Sequence, residues 1–166
     1  ARLIRERGYD AVVLGNASPE TANALEAVNG GGIYVNQPNA DGTVSSFYLK
    51  DGSITGNNSG SAAGGVYVHK GYMEMTGGTV SKNKTGSNGG AIYLYQMSSE
   101  DATGSFRMTG GTITGNSSNN VAGGIFVNRS HMEMTGGTIS ENQTKNYGCG
   151  IYFSYSTGKV TGGEIS

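Results

Sequence analysis

Gly64-Gly65-Val66-Tyr67-Val68 and, after four intervening residues, Met73-Glu74-Met75-Thr76-Gly77-Gly78-Thr79-Val80-Ser81-Lys82-Asn83 form the stretch that decides the fold. The first half returns as Gly31-Gly32-Ile33-Tyr34-Val35, Gly89-Gly90-Ala91-Ile92-Tyr93, Gly123-Gly124-Ile125-Phe126-Val127 and Cys149-Gly150-Ile151-Tyr152-Phe153. The second half returns around Ile54, Ile113, Ile139 and Ile165. Units of this size cannot bury an apolar face alone, so they stack on their neighbours as a solenoid.

The spacings define the coil. Ile54 to Val66, Val80 to Ile92, Ile113 to Ile125 and Ile139 to Ile151 are each 12 residues apart. From first half to second, Val66 to Val80, Ile125 to Ile139 and Ile151 to Ile165 span 14, whereas Ile33 to Ile54 and Ile92 to Ile113 span 21. The basic coil is therefore 26 residues, and coils one and three carry a seven-residue insertion at the same corner. Insertions confined to one corner are loops on one face, often the binding face.

Each coil contains three short segments of period-two alternation: Ile-Tyr-Val, then Phe47-Tyr48-Leu49 or Met73-Glu74-Met75, then Ser53-Ile54-Thr55 or its equivalents. Bounded by Gly, Asn and Ser, these read as strands and not helices. The expected fold is all-β: a single-chain parallel β-helix of about five rungs, each with three strands. Gly makes up 30 of 166 residues, far above the usual ~7%, and the doublets place much of that excess at corners.

Stacking turns each repeat position into a column with rungs about 4.8 Å apart. The inward columns are predicted to be Ile33/Val66/Ile92/Ile125/Ile151, Leu49/Met75/Met108/Met134/Val160 and Ile54/Val80/Ile113/Ile139/Ile165. Asn57, Asn83, Asn116 and Asn142 form a further column, read as an amide ladder at a corner. Most of the Asn-x-Ser/Thr sequons (Asn16, Asn57, Asn83, Asn116, Asn128, Asn142) follow from that ladder.

Residues 1–29 differ from the repeats at 30–166. Ala1–Arg7 and Ser18–Val28 are the helix-like stretches, the second with Ser18 as N-cap and Pro19 at the first helical position. Val13-Leu14-Gly15-Asn16 matches the third segment of the repeat, which predicts a partial rung below the first coil with a helix over the open core. Gly8–Gly15 also looks like a nucleotide-binding strand, but no G-x-G-x-x-G follows it. Ser166 falls in mid-segment, so the repeats are expected to continue in a longer protein. Neither a signal peptide nor an apolar run of ~18 residues is present in this stretch. The single Cys149 allows no internal disulfide. A net charge of −1 leaves no footprint for nucleic acid.

The pairing of Gly89-Gly90-Ala91-Ile92 with Ile54-Thr55-Gly56-Asn57, Val80-Ser81-Lys82-Asn83, Ile113-Thr114-Gly115-Asn116 and Ile139-Ser140-Glu141-Asn142 resembles the repeats of polymorphic outer membrane proteins and related bacterial adhesins. Those pair GGA[ILV] with FxxN; here Ala stands in one of five first motifs, and Ile or Val replaces the Phe throughout. The resemblance covers roughly residues 30–166. It implies a right-handed β-helix, a secreted or cell-surface location (bacterial outer membrane or cell wall) and an adhesive role with glycans or host-cell proteins as partners.

Signals for chemistry are sparse. Tyr48, Glu74, Arg107, Glu133 and Lys159 share one outward column whose charges alternate, as a stabilising ladder does. Asp41, Glu100 and Asp101 lie in the insertions and offer solvated acids or a weak cation site. His69 and His131 fall in different columns, so no metal pair is expected. No catalytic residue, metal ligand or cofactor is assigned. The candidate binding residues are the outward aromatic column Tyr34, Tyr67, Tyr93, Phe126 and Tyr152, beside which both insertions leave the strand. Stacked rings also stabilise neighbouring strands, so a structural role competes with a track for sugars or a partner. A second pattern, the Thr/Ser columns of Ser53/Thr79/Thr112/Thr138 and Thr55/Ser81/Thr114/Ser140, resembles the ice-binding faces of antifreeze solenoids, with Ser at three of eight places and Glu164 interrupting. The expected function is a non-catalytic scaffold with a binding face. A carbohydrate-active lyase or hydrolase and a phage tail fibre are the alternatives.

Overall fold

The computed structural model describes residues 2–4, 11–13, 31–36, 45–96 and 106–166. Among them it is all-β, with four parallel ladders wound as a β-solenoid. The first ladder holds Ile33–Asn36, Val66–His69, Ile92–Tyr95, Ile125–Asn128 and Ile151–Ser154. The second holds Ser46–Leu49, Tyr72–Met75, Phe106–Met108, His131–Met134 and Thr157–Val160. The third holds Ser53–Thr55, Thr79–Ser81, Thr112–Thr114, Thr138–Ser140 and Glu164–Ile165.

Register follows the repeat residue for residue. Ile33 pairs with Val66, Val66 with Ile92, Ile92 with Ile125 and Ile125 with Ile151. The Leu49 and Ile54 columns hold in the same way. The inner side chains of the first four rungs meet in one apolar core with Ile151 packed against it, whereas Val160 and Ile165 of the fifth rung hold their register but are 49% and 46% exposed. Met73, Met75, Met108, Met132 and Met134 are all fully buried there, where unbranched side chains fill gaps that vary between rungs. One such variation is visible at the fifth rung. Phe153 replaces the aliphatic residue of its column, and the opposing residue is Gly158, where a Cβ would lie 2.3 Å from the Phe153 ring.

A fourth ladder, of two-residue strands, is present beyond the three expected: Asn58–Ser59, Lys84–Thr85, Ser117–Ser118 and Gln143–Thr144. Its inward residues are hydroxyls. Ser59, Thr85 and Ser118 are buried, and they bond to the corners beside them: the Ser61 N–H donates to Ser59 Oγ, Thr85 reaches the corner of the rung before it and Ser118 the corner that follows it. Thr85 donates to the Ser61 and Ala62 carbonyls, and Ser118 donates to the Val121 carbonyl at 3.0 Å. Two residues are too few to show an alternation, and a polar inner face gives no hydrophobic signal.

The amide ladder sits between the third and fourth strands. Asn57 Nδ2 donates to Asn83 Oδ1 at 2.9 Å, Asn83 to Asn116 at 3.0 Å and Asn116 to Asn142 at 2.9 Å. Each acceptor oxygen also takes the backbone N–H of the rung before it. Asn83, Asn116 and Asn142 are buried, so their sequons serve the ladder.

The corner before the first strand needs glycine. A Cβ on Gly64 would sit 2.4 Å from the Gly90 carbonyl, and one on Gly90 would sit 2.2 Å from the Gly123 carbonyl. Backbone therefore packs on backbone, and no side chain fits between successive rungs.

The N-terminal segment departs from expectation. Arg2–Ile4, within the stretch read as helix-like, is a strand. It pairs antiparallel with Ala11–Val13, which in turn pairs antiparallel with Ile33–Val35. Val13 therefore joins the first ladder opposite Ile33, and does not extend the third, which starts at Ser53–Thr55 among the described residues. A local hairpin closes through a six-residue link, whereas a parallel rung needs a whole coil to return. The hairpin covers the edge of the first sheet. The helix expected over Ser18–Val28 lies outside the described residues, as do Asp41, Glu100 and Asp101. No described helix is long and apolar enough to cross a membrane.

Candidate functional site

The first ladder brings all five predicted aromatic residues into register on its outer side: Tyr34, Tyr67, Tyr93, Phe126 and Tyr152. Successive ring centroids are 5.2, 5.1, 4.7 and 5.7 Å apart. The Tyr34 and Tyr67 planes lie 6° from parallel; later rings tilt by 32–39°. Planar rings at rung spacing fill the gap between strands, so their faces are spent on one another. Outward placement has not left them all open. Tyr67 is 8% and Phe126 6% exposed, while Tyr34, Tyr93 and Tyr152 are half-buried. Ala62 and Ala63, in the corner before Val66, join Tyr67 in a small apolar cluster against which Tyr34, Tyr93 and Tyr95 pack.

A second outward column lies two residues further along each strand. His69, Tyr95, Asn128 and Ser154 stand in it, in register. The His69 ring stacks near Tyr67 (6.0 Å, 9°) and Tyr95 (5.6 Å, 14°). Diagonal bonds tie the columns: the Tyr34 hydroxyl lies 3.4 Å from His69 Nδ1, and Asn128 Nδ2 donates to the Tyr93 hydroxyl at 3.1 Å. Sequence reasoning stopped at the first column, although the i+2 rule for a strand face points to the second.

Burial governs the electrostatics of this face. Desolvation raises the pKa of Tyr34, Tyr67 and Tyr93, with neighbouring tyrosines adding to it for Tyr67; the Asn128 bond opposes it at Tyr93. Burial, then the charge of Lys70, lowers the pKa of His69. The neutral forms of Tyr34, Tyr67, Tyr93 and His69 are favoured, and the two columns present ring edges, hydroxyls and amides.

The insertions, residues 37–44 and 97–105, join the first to the second strand of their coils, next to this face in the chain. In coils two and four the same connection is only Lys70-Gly71 and Arg129-Ser130.

The second ladder presents the alternating column as expected. Tyr48 faces Glu74, Glu74 faces Arg107, Arg107 faces Glu133 and Glu133 faces Lys159. Arg107 Nη1 lies 3.3 Å from Glu74 Oε1 and its Nε 3.4 Å from Glu133 Oε2. Tyr48 is 47% exposed, with the Tyr72 ring edge-on to it at 6.0 Å.

On the third ladder the outward hydroxyls bond between rungs. Ser81 Oγ donates to Thr55 at 3.2 Å and Ser140 Oγ to Thr114 at 3.3 Å. His69 and His131 stand in different ladders, and His131 Nδ1 meets Thr157 Oγ1 at 2.8 Å. No group of three or more metal-ligating side chains occurs among the described residues.

Searches among known protein families, curated proteins and solved structures find no match to this chain.

Proposed function

We propose that this solenoid is a non-catalytic scaffold of a secreted or cell-surface bacterial protein, which presents the outer face of its first ladder to a glycan or a partner protein. The observation that carries the reading is the two-column face. Tyr34, Tyr93 and Tyr152 keep part of their rings open, beside Tyr95 and Asn128 with polar tips. Aromatic edges beside hydroxyls and an amide suit polyhydroxylated ligands and protein surfaces alike. A rigid backbone gives such a face fixed spacing, which limits the ordering cost of binding.

Glycan and surface-protein arrays test the proposal. The wild-type chain is expected to give a reproducible signal that Tyr95→Ala with Asn128→Ala weakens while the melting temperature holds. A signal untouched by that pair, or no signal, counts against this face. Turnover of polysaccharides that disappears in Glu100→Gln or Asp101→Asn would replace the scaffold reading with an enzymatic one.

A further inference from the structure

We propose that the outer face of the second ladder is a separate binding site for a linear, uncharged polysaccharide lying parallel to the solenoid axis. The proposal does not rest on the reading of the first ladder. Its starting point is exposure. Among the described residues, Tyr48 is the most open aromatic ring on the outer side of any strand, at 47%. Its neighbour Tyr72 meets it edge-on at 6.0 Å, which holds the ring without covering both of its faces.

Beyond Tyr48 the same column continues as Glu74, Arg107, Glu133 and Lys159, one residue per rung. Two carboxylates and two cations sum to zero formal charge. A polyanion meets two like charges here, and so does a polycation. A neutral polyol meets acceptors and donors in alternation and is repelled by neither. The groups are also partly free to receive it. Glu74 reaches Arg107 through Oε1 and Glu133 through Oε2, so each keeps a second oxygen. Arg107 uses Nη1 and Nε, so Nη2 faces neither carboxylate. Arg107 is 46% exposed at its side chain, Glu133 33% and Glu74 21%.

Spacing supplies the direction. Successive rungs repeat at about 4.8 Å, close to the rise per sugar of an extended β-linked chain. A polysaccharide along the axis then sets one sugar on Tyr48 and the following sugars against Glu74, Arg107 and Glu133 in turn. A chain laid across the rungs meets only one member of the column. The ladder thus reads as a site matched in period and in charge to a linear neutral polymer, with the aromatic ring at one end as its platform.

Calorimetric titration of the full chain with cellohexaose and mannohexaose, and with hexagalacturonate as the acidic comparator, tests this. A neutral hexasaccharide is expected to bind in preference to the acidic one. Tyr48→Ala should weaken it about tenfold or more, as loss of an aromatic anchor does. Glu74→Gln with Glu133→Gln should weaken it as well, and Ser81→Ala on the third ladder should leave it unchanged. Chemical-shift mapping on the unmutated chain gives an answer that does not depend on variants folding: perturbed amides should fall in 46–49, 72–75, 106–108 and 131–134. Three results overturn the proposal: no shifts or heat with either neutral hexasaccharide at millimolar concentration, preference for hexagalacturonate, or binding lost in Tyr95→Ala but kept in Tyr48→Ala. The last assigns the ligand to the first ladder and leaves the proposed function of that face standing.

Discussion

The outer faces of the first and second ladders have the same backbone, the same register and the same rung spacing, yet one is largely closed and the other open. On the first, Tyr67 and Phe126 are 8% and 6% exposed; on the second, Tyr48 is 47% exposed and Arg107 stands in solvent between two carboxylates. The difference comes from side-chain shape. Flat rings at strand spacing stack on one another and on Ala62 and Ala63, so they exclude water although they lie outside the coil. Charged side chains keep their hydration and extend away from the sheet. Facing outward and being accessible are therefore separate properties in a solenoid. The first face acts as an external spine.

Mutation should expose the contrast most strongly at the spine. Phe126→Ala removes a ring held between Tyr93 and Tyr152, and a loss of about 3 kcal/mol is expected in urea unfolding, in the range for large-to-small changes at packed sites. Arg107→Gln on the open face should cost under about 1 kcal/mol, because exposed ion pairs contribute little. Near-equal losses would break the distinction between spine and ladder.

The spine should also set the pH range of stability. Tyr67 and Tyr93 have folded pKa values raised above the ordinary 10.0. Their stabilising contribution is complete below pH 10 and is lost as pH rises beyond it, since the unfolded chain ionises first. His69 has a folded pKa lowered from 6.5. Its contribution is present above pH 6.5 and is lost as pH falls below that value. Melting temperature followed across pH should decline on both sides of this window. Tyr93→Phe should reduce the alkaline decline and His69→Asn the acid one; unchanged profiles in both variants would show that other groups control them.

Backbone strain gives a smaller effect, independent of either face. Gly56, Lys82, Gly115 and Glu141 occupy equivalent corners with φ of 69°, 55°, 63° and 56°. A Cβ on Gly115 would touch nothing within 4 Å, so Gly115→Ala should cost about 1 kcal/mol through conformation alone. Lys82→Gly should be neutral or stabilising by several tenths of a kcal/mol. Thermal denaturation of the pair measures this, and a stabilising Gly115→Ala would contradict the left-handed corner.

Sequence alone determined the coil, its register and the sides of its strands. A repeat of 26 residues with insertions at one corner admits one stacking, and period-two alternation then assigns Ile92 to the core, Tyr93 to the outside and Asn116 to a ladder. These follow because identical positions in successive rungs meet across a fixed spacing. Tertiary structure alone decided what the pattern leaves silent. The two-residue fourth ladder has no period to read, and its hydroxyls bond to carbonyls of corners in the same rung or the rung before it. The hairpin of Arg2–Ile4 and Ala11–Val13 lies outside the repeat, so the repeat rule does not reach it. The closure of the aromatic column depends on how tightly rings and corner alanines pack, a matter of volumes and distances and not of direction along the strand.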